Sequence, residues 1–315
     1  MSSSYQYLFG PVPSRRLGLS LGVDPIPKKL CTLDCVYCEV RQTDLRALKR
    51  KEYIPARSII AELQTALREL KELDFVTFSG SGEPTLNSTL GELIHAVKLI
   101  TRVPVAVITN GTLLYRDDVR RDLLEADVVL PSLDAATQPV FEQINRPHPQ
   151  LKINTIIEGL KQFRTEYRGK IWLEILLVEG INDTETELAA LREAINEIRP
   201  DKVQLNTVVR PPAESFAHPV NEERLREIQT YFGGTCEIVG TFQKKNLQNG
   251  TRVDVARVIS LLERRAMTAE EIAHALGITA SATVEVLQIL QDEGLVVPSV
   301  HSQRMYFHSS FAQVS

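Results

Sequence analysis

Three cysteines fall within eight residues, in the segment Cys31-Thr-Leu-Asp-Cys35-Val-Tyr-Cys38. Cysteine thiolates are the ligands of iron–sulfur clusters. A tight loop brings three sulfurs within reach of one cubane, whose fourth iron then has no protein ligand. An open iron can bind and reduce a small molecule instead of only relaying electrons. Zinc is the alternative. A closed zinc site takes four ligands, usually as paired short spacings, and the remaining cysteine, Cys236, has no partner cysteine near it. Four cysteines in 315 residues do not suggest a disulfide framework. The triplet reads as metal ligation in a reducing compartment.

The loop needs a scaffold. Short apolar runs at Leu17–Val23, Phe75–Phe78, Val105–Thr109, Val128–Leu133, Ile171–Leu177 and Val203–Val208 are rich in Val, Ile and Leu. Such runs suit parallel strands buried on both faces. Amphipathic stretches lie between them. Ile59, Ile60, Leu63, Leu67 and Leu70 keep helical spacing, as do Leu188, Leu191, Ala194, Ile195 and Ile198. Strand–helix alternation predicts an α/β fold with a parallel sheet, open or curved towards a barrel.

The pattern changes after about Phe242. Lys244–Arg252 is polar and holds the turn signal Asn249-Gly250. Beyond it, Val255, Val258, Ile259 and Leu262 make one helical stripe. Thr268-Ala-Glu-Glu271 is a capping box that opens a second helix, and Gly277 closes it. Thr279 can cap a third helix through Gln291, and Leu295–Val297 can pair with Met305–Phe307. The expected organisation is a main domain over 1–245, a linker over 246–252 and a small winged helix domain over 253–315.

Cys-x-x-x-Cys-x-x-Cys with Tyr37 before the last cysteine resembles the signature of the radical S-adenosylmethionine (SAM) superfamily. Ser79-Gly80-Ser81-Gly82-Glu83-Pro84-Thr85 resembles its glycine-glycine-glutamate motif, with Ser81 in place of the first glycine. Thr109-Asn110-Gly111 and Ser132-Leu133-Asp134 end the third and fourth strands, where such barrels place cofactor contacts. Phe9–Arg16, Gln204-Leu-Asn206 and Arg210-Pro-Pro212 are similar to a branch of iron–sulfur oxidoreductases related to the wyosine-tRNA (imidazoguanosine-forming) synthases. The chain departs from those synthases in lacking a second cysteine set for another cluster.

The resemblance implies a partial (βα)6 TIM-like radical SAM barrel. It implies one [4Fe–4S] cluster on Cys31, Cys35 and Cys38, whose open iron is chelated by SAM. One electron then cleaves SAM, and the 5′-deoxyadenosyl radical abstracts hydrogen from a substrate, a tRNA base or a peptide or protein. Tyr37 is expected to flank the adenine, and the backbone of Ser81, Gly82 and Glu83 to accept from the SAM ammonium. Gly82, lacking Cβ, lets backbone approach a ligand. Asp134, with Ser132, is expected to hold the ribose, and Asn110 to touch SAM or substrate. Each has a plainer role available: a core aromatic, a strand-to-helix loop, a helix cap, a turn residue. Arg15, Arg16 and Arg210 can bind an anionic group, and Glu174 and Asn206 can face the cavity. Cys236 is either a hydrogen-atom donor or a small buried hydrophobe.

Charge narrows the partners. The chain is net −4, yet residues 1–57 carry ten Lys or Arg against five Asp or Glu. The run Arg46, Lys49, Arg50, Lys51 follows the cysteines. It can receive an acidic one-electron donor such as flavodoxin or ferredoxin, or guide RNA. Residues 253–315 hold four Arg, no Lys and seven Asp or Glu, and Ala280–Gln291 has no cation. Phosphate binding depends on Lys and Arg, so DNA binding by this segment is not expected. A redox-sensing DNA-binding regulator is thereby the weaker alternative. No signal peptide or membrane-length apolar run is visible, and a cytoplasmic enzyme is expected.

Overall fold

The computed structural model describes residues 5–40, 42–43, 45–70, 72–239 and 255–310. An antiparallel pair comes first, β1 (Leu8–Ser14) and β2 (Gly18–Val23). Two short strands, β3 (Leu30–Cys31) and β4 (Leu45–Arg46), bracket the cysteine loop. Alternation follows: α1 (Ala56–Glu69), β5 (Phe75–Phe78), α2 (Leu90–Ile100), β6 (Val105–Thr109), α3 (Asp117–Asp122), β7 (Val128–Pro131), α4 (Gln138–Ile144) and α5 (Ile153–Glu166). Then come β8 (Lys170–Leu177), α6 (Glu185–Ile198), β9 (Lys202–Thr207), α7 (Glu222–Phe232) and β10 (Cys236–Ile238). Among the described residues the main sheet has eight strands, ordered β1-β2-β5-β6-β7-β8-β9-β10. Neighbours from β2 to β10 are parallel.

The six apolar runs of the sequence become β2 and β5 to β9. The edge strands β1 and β10 carry weaker signals. β1 reads Leu-Phe-Gly-Pro-Val-Pro-Ser, and its register shifts between Phe9 and Val12. Proline and glycine are tolerated in a strand chiefly at an edge or a bulge, so composition hides a strand there. β10 has only three residues.

Alternation along the strands sorts two faces. Val105, Val107, Val129, Ile171, Leu173, Ile175, Val203 and Leu205 pack under the helices in the large core. Ala106, Val128 and Leu130 join Leu17 in a small apolar cluster, with Trp172 against it. Residues of the same parity as Trp172 and Lys202, further along β8 and β9, are Glu174, Gln204 and Asn206, all buried. The interior face is thus apolar at one end and polar at the other. The sheet curls enough for its ends to meet. Arg16, in the β1–β2 turn, pairs with Glu174 on β8, and Arg15 Nη1 reaches Asn206 Oδ1 on β9 at 3.4 Å.

The C-terminal segment forms α8 (Val255–Arg264), α9 (Ala269–Leu276), α10 (Ala280–Asp292) and a hairpin of β11 (Val296–His301) and β12 (Arg304–Ser309). The Thr268–Glu271 capping box is present, and Gly277 takes φ of 65° at the end of α9. Val258, Leu262, Met267, Ile272, Leu287 and Leu290 form a core with Val12 of β1, and Phe9 packs against it. Tyr306 donates to the Val209 carbonyl at 2.8 Å. The segment is therefore fastened to both β1 and the loop after β9. The expected linker over 246–252 lies outside the described residues.

The basic run after the cysteines is not a uniform solvated face. Arg50 has a side chain only 6% exposed. Its guanidinium donates to the carbonyls of Thr85 (2.7 Å) and Asn87 (3.2 Å) and pairs with Asp118 (2.7 Å) and Asp122. It pins the turn after β5 to α3. Arg46 caps the carbonyls of Arg146 and Pro147, both at 3.2 Å. Lys49 and Lys51 remain exposed. Removing one partner of a buried ion pair costs about 3–5 kcal/mol. Asp118 is 39% exposed, so screening reduces the cost, and Arg50→Ala is expected to lose about 2–3 kcal/mol. Urea unfolding should show a lower midpoint with an unchanged slope, and an unshifted midpoint would refute this role.

Candidate active site

Cys31 closes β3, and Cys35 and Cys38 lie on the loop that follows. The Cys38 amide donates to the Cys35 carbonyl at 3.1 Å, which makes the turn tight. The loop is tied to the end of α4 by Asp34 N to Asn145 O (3.0 Å) and Val36 N to Ile144 O (2.9 Å). Two side-chain amides point at the sulfurs. Asn145 Nδ2 lies 3.3 Å from Cys35 Sγ, and Asn110 Nδ2 lies 3.5 Å from Cys31 Sγ. Burial, with Glu83 nearby, pushes the Cys31 thiol up to about 12. Burial, with Asp134 nearby, pushes Cys35 well above the ordinary thiol value. Thiolates there require a compensating cation, because a coordinating metal deprotonates a thiol outright. Amide donors aimed at sulfur fit a thiolate-held cluster, whose sulfurs take such hydrogen bonds.

The Ser81–Glu83 turn is built otherwise than its glycines suggest. A Cβ on Gly82 would sit 2.0 Å from the Leu30 carbonyl oxygen. The missing Cβ therefore lets the turn press on the strand that delivers Cys31. Ser81 Oγ and N both donate to Asp24, at 2.6 and 3.2 Å. The Glu83 carboxylate is buried and takes four hydrogen bonds, from Thr85 N (3.0 Å) and Oγ1 (2.6 Å), Thr109 Oγ1 (2.6 Å) and Asn110 N (2.8 Å). It joins the end of β5 to the end of β6. The Glu83 carboxylate is spent on these bonds. Among the described residues no hydrogen bond reaches the carbonyls of Gly80 or Gly82, so backbone acceptors remain.

Asp134 is likewise engaged. It accepts from the Tyr37 hydroxyl, from Asn145 Nδ2 (2.8 Å) and from Leu176 N (2.9 Å). Burial pushes its carboxyl up to about 6 against those bonds. Its side chain orients Tyr37 and Asn145 beside Cys35, which fits a ribose ligand poorly. Asn110 has Nδ2 on Thr32 (2.7 Å) and Oδ1 on Thr112 Oγ1 (2.7 Å), so it serves the cysteine loop. Asn110, Ser132, Asp134 and Asn145 line one small cavity. The Ser132 hydroxyl has no hydrogen-bond partner among the described residues.

Four of the five expected substrate residues are linked by direct contacts. Arg16 pairs with Glu174, Glu174 accepts from Asn206 Nδ2 at 3.1 Å, and Arg15 contacts Asn206. Arg210 is buried and bound to Glu39 (3.2 Å) and Glu271 (2.6 Å). Burial alone would lower its pKa, but the two carboxylates raise it. Glu39, next to Cys38, went unnoticed in the sequence because a lone acid after a ligand has no distinguishing spacing. Burial would raise its carboxyl, yet Arg210, Arg265 and Arg15 hold it below the ordinary range. Cys236 is packed in the core beneath the helices, its thiol pushed up to about 12 by burial. It lies opposite Val203 of β9 and packs as a small buried side chain.

A curled parallel sheet, polar at one end of its interior face, carries a three-cysteine loop beside the ends of β5 to β7, an α/β arrangement. The family model described as the radical SAM superfamily matches residues 26–191, more than half of the chain. The chain belongs to the radical SAM superfamily and is an enzyme. It is 38% identical to a protein named GTPase Obg from Brachyspira hyodysenteriae, over 92% of this chain but only 43% of that longer protein. A UPF0026 protein of Methanocaldococcus jannaschii is 30% identical over 95% of this chain and 94% of its own length. A solved radical SAM methyltransferase from Sphaerobacter thermophilus shares the fold, with a TM-score of 0.54, 18% identity, and coverage of 70% of this chain and 65% of that one. The superfamily carries a [4Fe–4S] cluster and uses SAM and an electron donor. No helix among the described residues is long and apolar enough to cross a membrane.

Asn145 should matter as much as a ligand's direct neighbour. Losing an outer-shell partner typically costs roughly 10–100-fold in metal affinity or activity. Asn145→Leu is expected to retain less iron after anaerobic reconstitution and gel filtration. Removing an N–H···S bond should also make the cluster's midpoint potential more negative. An unchanged potential would show that Asn145 does not act on the sulfur.

Proposed function

We propose that this enzyme binds one [4Fe–4S] cluster through Cys31, Cys35 and Cys38, cleaves SAM reductively, and uses the radical to modify a substrate at the polar end of the barrel interior. The observation that carries this reading is the pair of amide donors, Asn110 and Asn145, directed at the sulfurs of Cys31 and Cys35. When bound, cluster and SAM supply a 5′-deoxyadenosyl radical. The protein's part is positioning and exclusion of water. The carbonyls of Gly80 and Gly82 would accept from the ammonium of SAM, Ser132 would meet its polar groups, and the Tyr37 ring would flank the adenine. Arg15, Arg16, Glu174, Asn206 and Arg210 form the substrate wall.

The substrate is a tRNA base by the branch resemblance, with a peptide or protein as the second choice. Residues 253–315 are read as a winged helix unit from their three helices and hairpin. DNA binding does not fit α10, which has Glu285 and no cation, and the unit serves instead to complete the barrel wall. A flavodoxin- or ferredoxin-like donor would dock near Arg46, Lys49 and Lys51, without Arg50. Thiolate ligation favours a reducing, cytoplasmic setting.

Anaerobically reconstituted protein with dithionite and SAM should release 5′-deoxyadenosine, and Cys35→Ala should reduce it to background. Product formation by Cys35→Ala would overturn the cluster assignment. Tight, sequence-specific DNA binding without SAM turnover would favour the regulator instead.

A further inference from the structure

At the polar end of the barrel, four guanidiniums face three carboxylates. Arg15 comes from the β1–β2 turn, with Arg16 beside it. Arg210 follows β9, and Arg265 follows α8. The acids are Glu39, Glu174 and Glu271. Arg16 is taken by Glu174, and Arg210 spends Nη1 on Glu39 and Nη2 on Glu271. The other two are left over. Arg15 makes one long hydrogen bond, 3.4 Å to Asn206. Arg265 makes no ion pair with the described residues, and its Nη2 is buried without a hydrogen-bond partner among them. Burial and the neighbouring Arg210 lower the pKa of both, Arg265 to about 10. Guanidiniums stay protonated at neutral pH in proteins.

Four half-buried or buried guanidiniums against three carboxylates leave the cluster with positive charge in excess, which is costly to desolvate. A site arranged this way is completed by something that brings the missing negative charge. Guanidinium forks match planar or tetrahedral oxyanions, which they bind in pairs of hydrogen bonds. The position is apt, because Arg210 of the same cluster is bound to Glu39, the residue after Cys38. We propose that Arg15 and Arg265 together hold a singly charged oxyanion of the substrate, a carboxylate or a phosphate ester, at the mouth of the barrel. This rests on the function proposed above and names the substrate class. It also gives the C-terminal unit a share in the site, since Arg265 and Glu271 both belong to it.

The test uses the full reconstituted chain without reductant, so it does not depend on turnover. Phenylglyoxal modification of arginines is followed by peptide mass spectrometry at constant ionic strength in chloride, acetate or inorganic phosphate. An anion present at about ten times its dissociation constant should slow modification of Arg15 and Arg265 about tenfold. Arg121, 67% exposed, should react at one rate throughout. Stronger protection by phosphate than by acetate, or the reverse, supports the site and identifies the source of the oxyanion. In Arg265→Gln the protection of Arg15 should fall several-fold while SAM affinity stays within twofold of wild type. No protection by either anion would overturn the proposal. So would equal protection by SAM alone, which would give the arginines to the cofactor's carboxylate, or full protection of Arg15 in Arg265→Gln. Because the wild-type chain carries the first readout, a variant that fails to fold leaves the test intact. Protection without any 5′-deoxyadenosine formation would instead count against the radical reading and leave the oxyanion site standing.

Discussion

Thiolates buried beneath a protein surface carry charge that water no longer screens, and the loop from Cys31 to Cys38 is arranged around that difficulty. The sulfurs sit where burial alone would keep them protonated. A metal centre reverses this preference, and the neighbouring groups are placed to support the reversed state. Asn110 and Asn145 donate to sulfur. Asp134 holds Asn145 and Tyr37 in position, and Glu83 holds the backbone of Asn110. Acids that resemble ligand contacts in the sequence are here the fittings of the cysteine loop.

The same economy explains the sheet. Parallel strands place their C-terminal ends together, and ligands of such sheets bind there. The loops after β5, β6 and β7 converge on β3 because Glu83, Asn110 and Asp134 each bond across to a different element. Gly82 belongs to this fastening, since its bare Cα lets the turn touch Leu30. A substitution there would displace the cysteine loop before it disturbed any ligand.

The C-terminal unit shares a hydrophobic core with β1 and ion pairs with Arg210. A sheet that curls without closing leaves an edge at β1 and another at β10. Helix α9 and the hairpin lie against the first edge and reach the loop after β9. The C-terminal unit packs on that edge, and its α10 lacks the cations needed for phosphate contact.

Much was legible in the residues alone, for local reasons. Cysteine spacing, apolar runs, a capping box and turn glycines act over a few neighbours, so the cysteine loop, six strands and three C-terminal helices could be read directly. Even Glu174 and Asn206 were visible, because strand alternation puts them on one face. What only the folded chain decided was pairing between distant segments. Arg50, in a basic run that reads as solvated, is buried because α3 supplies two carboxylates. Asn145 meets Cys35 across 110 positions, and Arg210 meets Glu39 across 171. Partners so far apart leave no periodicity in the sequence. Their meeting depends on how the sheet curls, and that is set by the packing of the whole core and not by any one segment.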